Sequence, residues 1–152
     1  MTTQPSTLPR ILTPTGRPIF TVAEARKTLP LTRRILRNVV EAAHLLNVRQ
    51  NSIRPARPEE DELCRRQLQR LDELAGELTE IGCDLKDIHT GLVDFYACYE
   101  QQTVELCFCV DDPDLSHWHE IGAGFAGRQP ITPEFEQQVE REVLEAREQA
   151  AR

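Results

Sequence analysis

The chain has 152 residues, 39% of them hydrophobic and 28% charged, and a net charge of −7. That length suits one domain whose core needs no disulfide staples, and the composition excludes a collagen-like or wholly disordered chain. No run of about 18 apolar residues offers a membrane span, the opening ten residues lack the apolar stretch of a secretory signal, and an odd count of five Cys fits a reduced, cytoplasmic protein.

Charge is unevenly spread. Residues 1–57 hold ten Lys/Arg and two Glu, or +8, whereas residues 58–152 hold eight Lys/Arg and 23 Asp/Glu, or −15. A basic segment can bind nucleic acid, but the total charge repels phosphate. The simpler reading lays the basic first helix along acidic later helices of this chain or of a partner subunit.

Residues 1–19, with four Pro and several Ser/Thr, read as a mobile N-terminal arm. Thr21 and Glu24 then have the spacing of a capping box, in which each side chain accepts from the other residue's amide. Val22, Ala25, Leu29, Thr32, Leu36, Val39, Ala43 and Leu46 step by three and four, which predicts a helix to about Val48 with a heptad seam. Pro30 lies inside it, where a kink or restart is expected.

Arg49–Pro58 reads as a linker. Acidic residues Glu59 to Glu62 open a second helix, whose seam runs Cys64, Gln67, Leu71, Leu74, Leu78 and Ile81 before a C-cap at Gly82. Two helices of similar length joined by a short linker predict an antiparallel hairpin. Such seams serve equally an internal core or a homodimer.

After Gly82 the period becomes two. Asp84–Ile88 is a strand candidate and Thr90-Gly91 a turn. Leu92–Tyr99 and Thr103–Val110 read as a hairpin across Gln101-Gln102. That register sets Phe95 opposite Phe108 and Ala97 opposite Leu106 on one face, with Asp94 opposite Cys109 on the other. Asp111–Asp114 is a loop, Leu115–Ile121 a short helix candidate, and residues 122–130 a glycine-rich irregular segment. Thr132 and Pro133 open a last helix with a thin apolar stripe, expected to be exposed and frayed at its end.

Chemistry-bearing residues concentrate between Asp84 and Arg128. Gly122, Gly124 and Gly127 match the dinucleotide fingerprint in letters only, because no buried strand precedes them and no βαβ unit surrounds them. No nucleotide cofactor is expected. Cys107, Cys109, His117 and His119 are zinc-ligand types, but their spacing is not that of a zinc knuckle. A mixed set, Asp87, His89, Asp94, His119 and Glu120, suits a divalent metal or acid–base chemistry, with Arg128 placed to hold an anion. The structural alternative stands beside it: Asp87 as a turn residue, His119 as a hydrogen-bonded core His, Glu120 in an ion pair.

Several strings in this stretch occur together: Lys86-Asp87, Thr90-Gly91-Leu92-Val93-Asp94-Phe95, Leu106-Cys107, Trp118-His119-Glu120, and Gly124-Phe125-Ala126-Gly127-Arg128 with Pro130. With Phe20-Thr21, Glu24-Ala25 and Leu29-Pro30, they resemble the uncharacterised bacterial family called domain of unknown function 2203, over about residues 20–131. The resemblance implies a small protein with a helical hairpin and a compact module after it, and supplies no activity. Asp87, Asp94, His119, Glu120 and Arg128 fall on the family's pattern. His89 stands where the pattern implies an acidic residue, so it ranks second among metal candidates.

The expected fold is α+β: a long antiparallel helical hairpin packed on a small antiparallel sheet, then a glycine-rich loop and a C-terminal helix. The expected domains are the arm 1–19, a single domain 20–131 and a terminal helix 132–152. Two functions stay open. One is a non-catalytic interaction or oligomerisation module with a buried Asp/His/Glu/Arg network. The other is a divalent-metal-binding protein or small metal-dependent hydrolase using the same cluster, on a substrate the sequence does not name.

Overall fold

The computed structural model describes residue 13 and residues 16–151. The element order is α1 (Val22–Gln50), α2 (Pro58–Ile81), β1 (Asp84–Asp87), β2 (Leu92–Tyr99), β3 (Gln102–Cys109), β4 (His117–Glu120), a 3₁₀ turn (Phe125–Gly127), β5 (Gln129–Pro130) and α3 (Pro133–Ala150). The five strands form one sheet in sequence order. The α+β class is as expected.

The chain divides into two compact units, and α1, β2 and β3 each run from one into the other. One unit holds residues 27–94 and 108–114. In it, α1 and α2 form the helical hairpin. Arg70 on α2 donates to Asn38 Oδ1 at 3.1 Å on α1. Gly82 ends α2 in the left-handed conformation, φ 114°, its amide on the Leu78 carbonyl. Pro30 stays within one continuous helix. It removes a hydrogen bond there, yet the buried seam on both sides of it holds the helix together. All eight positions of that seam, from Val22 to Leu46, are buried by the chain itself.

Arg33 ties α1 to the segment after β3. It donates to the carbonyls of Val110 at 2.7 Å and Asp112 at 2.6 Å, and lies 5.0 Å above the Phe108 ring. Gly91 explains the tight turn before β2. Its φ is +68°, and a Cβ there would sit 3.0 Å from both Val110 and Val40, so strain and crowding both favour glycine.

The other unit holds residues up to Arg26, Phe95–Cys107 and Leu115–Arg152. Thr21 and Glu24 form the expected capping box, at 2.8 and 3.1 Å. Just before it, Ile19 makes a parallel bridge to Tyr96, and the Phe20 amide donates to the Tyr96 carbonyl at 2.7 Å. Residues 1–12, 14 and 15 of the expected arm lie outside the described residues. On the sheet, α3 lays Phe135 flat on Trp118, ring centroids 4.5 Å apart, with Tyr99 alongside at 4.7 Å.

The end of α3 is anchored rather than frayed. Arg147, 3% exposed, donates to Glu24 at 2.6 and 3.0 Å and to the Ile19 carbonyl at 2.9 Å. The thin apolar stripe signalled weak packing, but a buried arginine completes it. Burial alone would raise the Glu24 pKa; hydrogen bonds and charge from Arg147 and the Thr21 amide outweigh it and hold that carboxyl low.

Two further sequence expectations are corrected. Leu115–Ile121 is not helical: His117–Glu120 is strand β4, paired antiparallel with β3. Four residues are too few to establish a helical period, and the unsatisfied edge of β3 recruits them. The hairpin turn is Glu100-Gln101, both at positive φ (52° and 62°), not Gln101-Gln102. A two-residue turn with both φ positive is the type I′ geometry that fits strand twist. It moves the register by two, to Phe95 opposite Leu106 and Ala97 opposite Val104, without changing which face each side chain takes.

Candidate functional site

β3 is buried on both faces: Val104, Leu106 and Phe108 on one, Glu105 and Cys107 on the other. β4 pairs Glu105 with His119 and Cys107 with His117. Direct partners in an antiparallel ladder share a face, so a carboxyl, a thiol and two imidazoles stand side by side on the sheet. Trp118, between the two His, points the other way into the Phe135 stack, which fixes the orientation of β4.

His119 is 2% exposed and Glu105 6%. His119 Nδ1 lies 2.8 Å from the Glu120 carbonyl. A carbonyl only accepts, so Nδ1 carries the proton, and this orients the ring. Nε2 then faces the Glu105 carboxyl at 3.6 Å. Cys107 and His119, both buried, each offer one ligand atom, and these atoms lie within 4.8 Å of one another. Asp94, on β2, is buried as well.

The other candidates lie in different surroundings. Asp87 Oδ1 accepts from the amides of His89 at 2.8 Å and Thr90 at 3.3 Å, the hydrogen bonds of a turn. His89 is exposed and borders a shallow depression with Arg37 and Asp111. Glu120, also exposed, takes the face of β4 opposite His119. Arg128 lies over the Phe125 ring at 4.7 Å, beside the glycine turns. Cys109 donates to the Thr90 carbonyl at 3.2 Å. Cys98 is held protonated: burial, with Glu142 nearby, raises its pKa.

Glu105 is the group the sequence reading missed. It sits in an alternating run, Thr103 to Cys109, where a charged residue on a strand ordinarily faces water. With β4 read as a helix, nothing covered that face.

The fold and this cluster define a small α+β protein with a closed set of metal-ligand-type side chains inside its sheet. The chain belongs to the family of uncharacterized conserved proteins DUF2203, whose sequence profile matches residues 18–131. No curated protein matches the chain, and no solved structure does. No helix among the described residues is long and apolar enough to cross a membrane.

Proposed function

We propose that this protein is a non-catalytic interaction module that self-associates through the free end of its helical hairpin. The observation that carries this reading is an apolar groove of about 270 Å³ at the hairpin end, floored by Leu45, Leu46, Val48, Leu63 and Cys64. Val48 and Leu63 are 58% and 47% exposed, and Ile53, between groove residues Ser52 and Arg54, is fully exposed. A knob beside a groove on the same patch is what a two-fold contact between identical chains requires.

The single carboxylate on the rim is already paired, and the rim keeps one net positive charge. Glu60 pairs with Arg49 at 3.1 Å and with Arg54 at 2.6 Å. An apolar side chain can therefore enter without stranding the carboxylate, while the excess charge on Arg54 stays in water, its side chain being 55% exposed. The seam of α1 is consumed internally, so the hairpin end takes over the association role that the sequence first suggested for the seams. Light scattering over a concentration series tests this. The full chain is expected at twice the single-chain mass, and Ile53→Asp at the single-chain mass with an unchanged circular dichroism spectrum. A parent that stays monomeric at high micromolar concentration would sink the reading.

A second reading, a divalent-metal-binding protein, is favoured by the approach of Glu105, Cys107 and His119 on one face of the sheet. Their burial supports a closed structural site better than a hydrolase, which keeps a coordination position open.

A further inference from the structure

The groove at the end of the helical hairpin is apolar along its floor and cationic at its rim, and the two together bear on what controls it. All of its lining lies within the unit of residues 27–94 and 108–114. The floor is Leu45, Leu46, Val48, Leu63 and Cys64, and the rim carries Arg49, Arg54 and Glu60. Two guanidinium groups share one carboxylate, so one positive charge is left over.

Arg54 is the more accessible of the two cations. Its side chain is 55% exposed, and among the described residues its guanidinium meets Glu60 alone. Arg49 is more enclosed, at 18%. Its Nε lies 3.1 Å from Glu60 and its Nη2 donates to the Arg54 carbonyl at 3.1 Å. Its Nη1 is closed off from water and has no hydrogen-bond partner among the described residues. A buried donor without an acceptor is a standing cost to the fold, and a charged acceptor is the strongest partner it can gain. Arg49 lines the groove, so a carboxylate seated beside Arg54 can take that donor after a turn of the Arg49 guanidinium.

A ligand that matches this pattern has a negative head and an apolar tail. Size limits the tail. At roughly 30 Å³ per water-sized group, a groove of about 270 Å³ takes about nine such groups. That is one short alkyl chain, below the ~300 Å³ at which sites for drug-sized ligands begin. A bare phosphate or sulfate would meet the charge and leave the floor in water. An alkylamine would cover the floor and set its own positive charge against the rim.

We propose that the groove binds a small aliphatic carboxylate of about eight carbons, its head on Arg54 and Arg49 and its tail on the leucine floor, and that this ligand displaces the second copy of the chain. The binding step stands on the groove alone. The displacement step rests on the self-association reading and deepens it, because the floor that takes the tail is the floor that takes the apolar knob of the second copy. Ligand and second copy then compete by mass action. At ten times the ligand's Kd, the dimer's Kd rises roughly 100-fold, a factor of about ten for each groove.

Octanoate at neutral pH is the probe, and the first titration uses the full chain carrying Ile53→Ser. That variant removes the knob without adding a charge, and Ile53 is fully exposed, so the fold does not depend on it. Calorimetry and backbone NMR are expected to show one equivalent of octanoate bound, with shifts confined to residues 45–67. 1-Octanol, which has the same tail and no charge, should bind at least about 10-fold more weakly, and octylamine more weakly still. Adding Arg54→Gln should cut the preference for octanoate over octanol several-fold and leave octanol unchanged, which a merely structural role for Arg54 would not do. In the parent chain, octanoate should lower the light-scattering mass from twice the single-chain value to the single-chain value. Absence of saturable octanoate binding to Ile53→Ser overturns the ligand and leaves self-association standing. Octanol that binds as tightly as octanoate overturns the seating of the head on the arginines. Octanoate that fills the groove of Ile53→Ser yet leaves the parent dimer intact overturns the displacement. A parent that is monomeric without ligand sinks self-association and displacement together, while the octanoate titration still decides the ligand.

Discussion

The turn at Asp87–Gly91 and the strand pair β3–β4 draw on the same residue types and use them differently. At the turn, a carboxylate accepts two backbone amides and a histidine projects into water. On the strand pair, Glu105 and His119 face each other with almost no exposure. Solvent sets the energetic scale in each place. Water can replace a lost partner at the turn, whereas a buried carboxyl or imidazole that loses its partner bears the cost of desolvation alone.

The strongest way to break that comparison is to remove one member of the buried pair. Glu105→Ala removes a buried carboxyl and is expected to cost about 1–3 kcal/mol of unfolding free energy, the range for leaving buried polar neighbours without a partner. Chemical denaturation measures it, and a loss below about 1 kcal/mol would show that the face is wetter than its burial says. At the turn the expected loss is smaller. Asp87→Ala removes two exposed side-chain-to-backbone hydrogen bonds and should cost about 1 kcal/mol. A loss as large as that of Glu105→Ala would erase the distinction.

A third region lies between the two. Glu24 is part-exposed, while its partner Arg147 is buried. The folded-state pKa of Glu24 lies below its ordinary value. Its contribution to stability is therefore present above the unfolded pKa of about 4.3 and is lost as pH falls through the folded value. The stability gap between the parent and Glu24→Gln should be constant near neutrality and close below about pH 4. A gap that widens on acidification would contradict that sign. The effect is the smallest of the three, because water screens the exposed side of the pair.

Local signals were reliable where local physics decides the outcome. The Thr21–Glu24 capping box, the seam of α1 and the Gly82 cap each act within about one turn of chain, and each formed as its residues indicated. The face of every β2 and β3 side chain was also legible, because alternation survives a register shift of two. The cluster was legible only in part. Asp94 and His119 stand out in the sequence and are both buried; Cys107 stands in the zinc-type set with His119, which does come near it, but also with Cys109 and His117, and Glu105 stands in no set. Asp87, His89, Glu120 and Arg128 had suitable chemistry but lie in a turn, in water, on the opposite face of β4 and over an aromatic ring.

The sequence by itself determined the elements, their caps, their apolar faces and membership of the family. Those depend on periods of two and of 3.6 and on side chains reaching three or four residues along the chain. Tertiary structure alone decided that four residues after a loop become β4, that a thin terminal helix is held by Arg147, and that a glutamate, a thiol and an imidazole become neighbours. Each of these depends on which backbone edge is left unpaired and on a turn placed one residue earlier. Such choices are made by long-range pairing, and no local pattern in the chain encodes them.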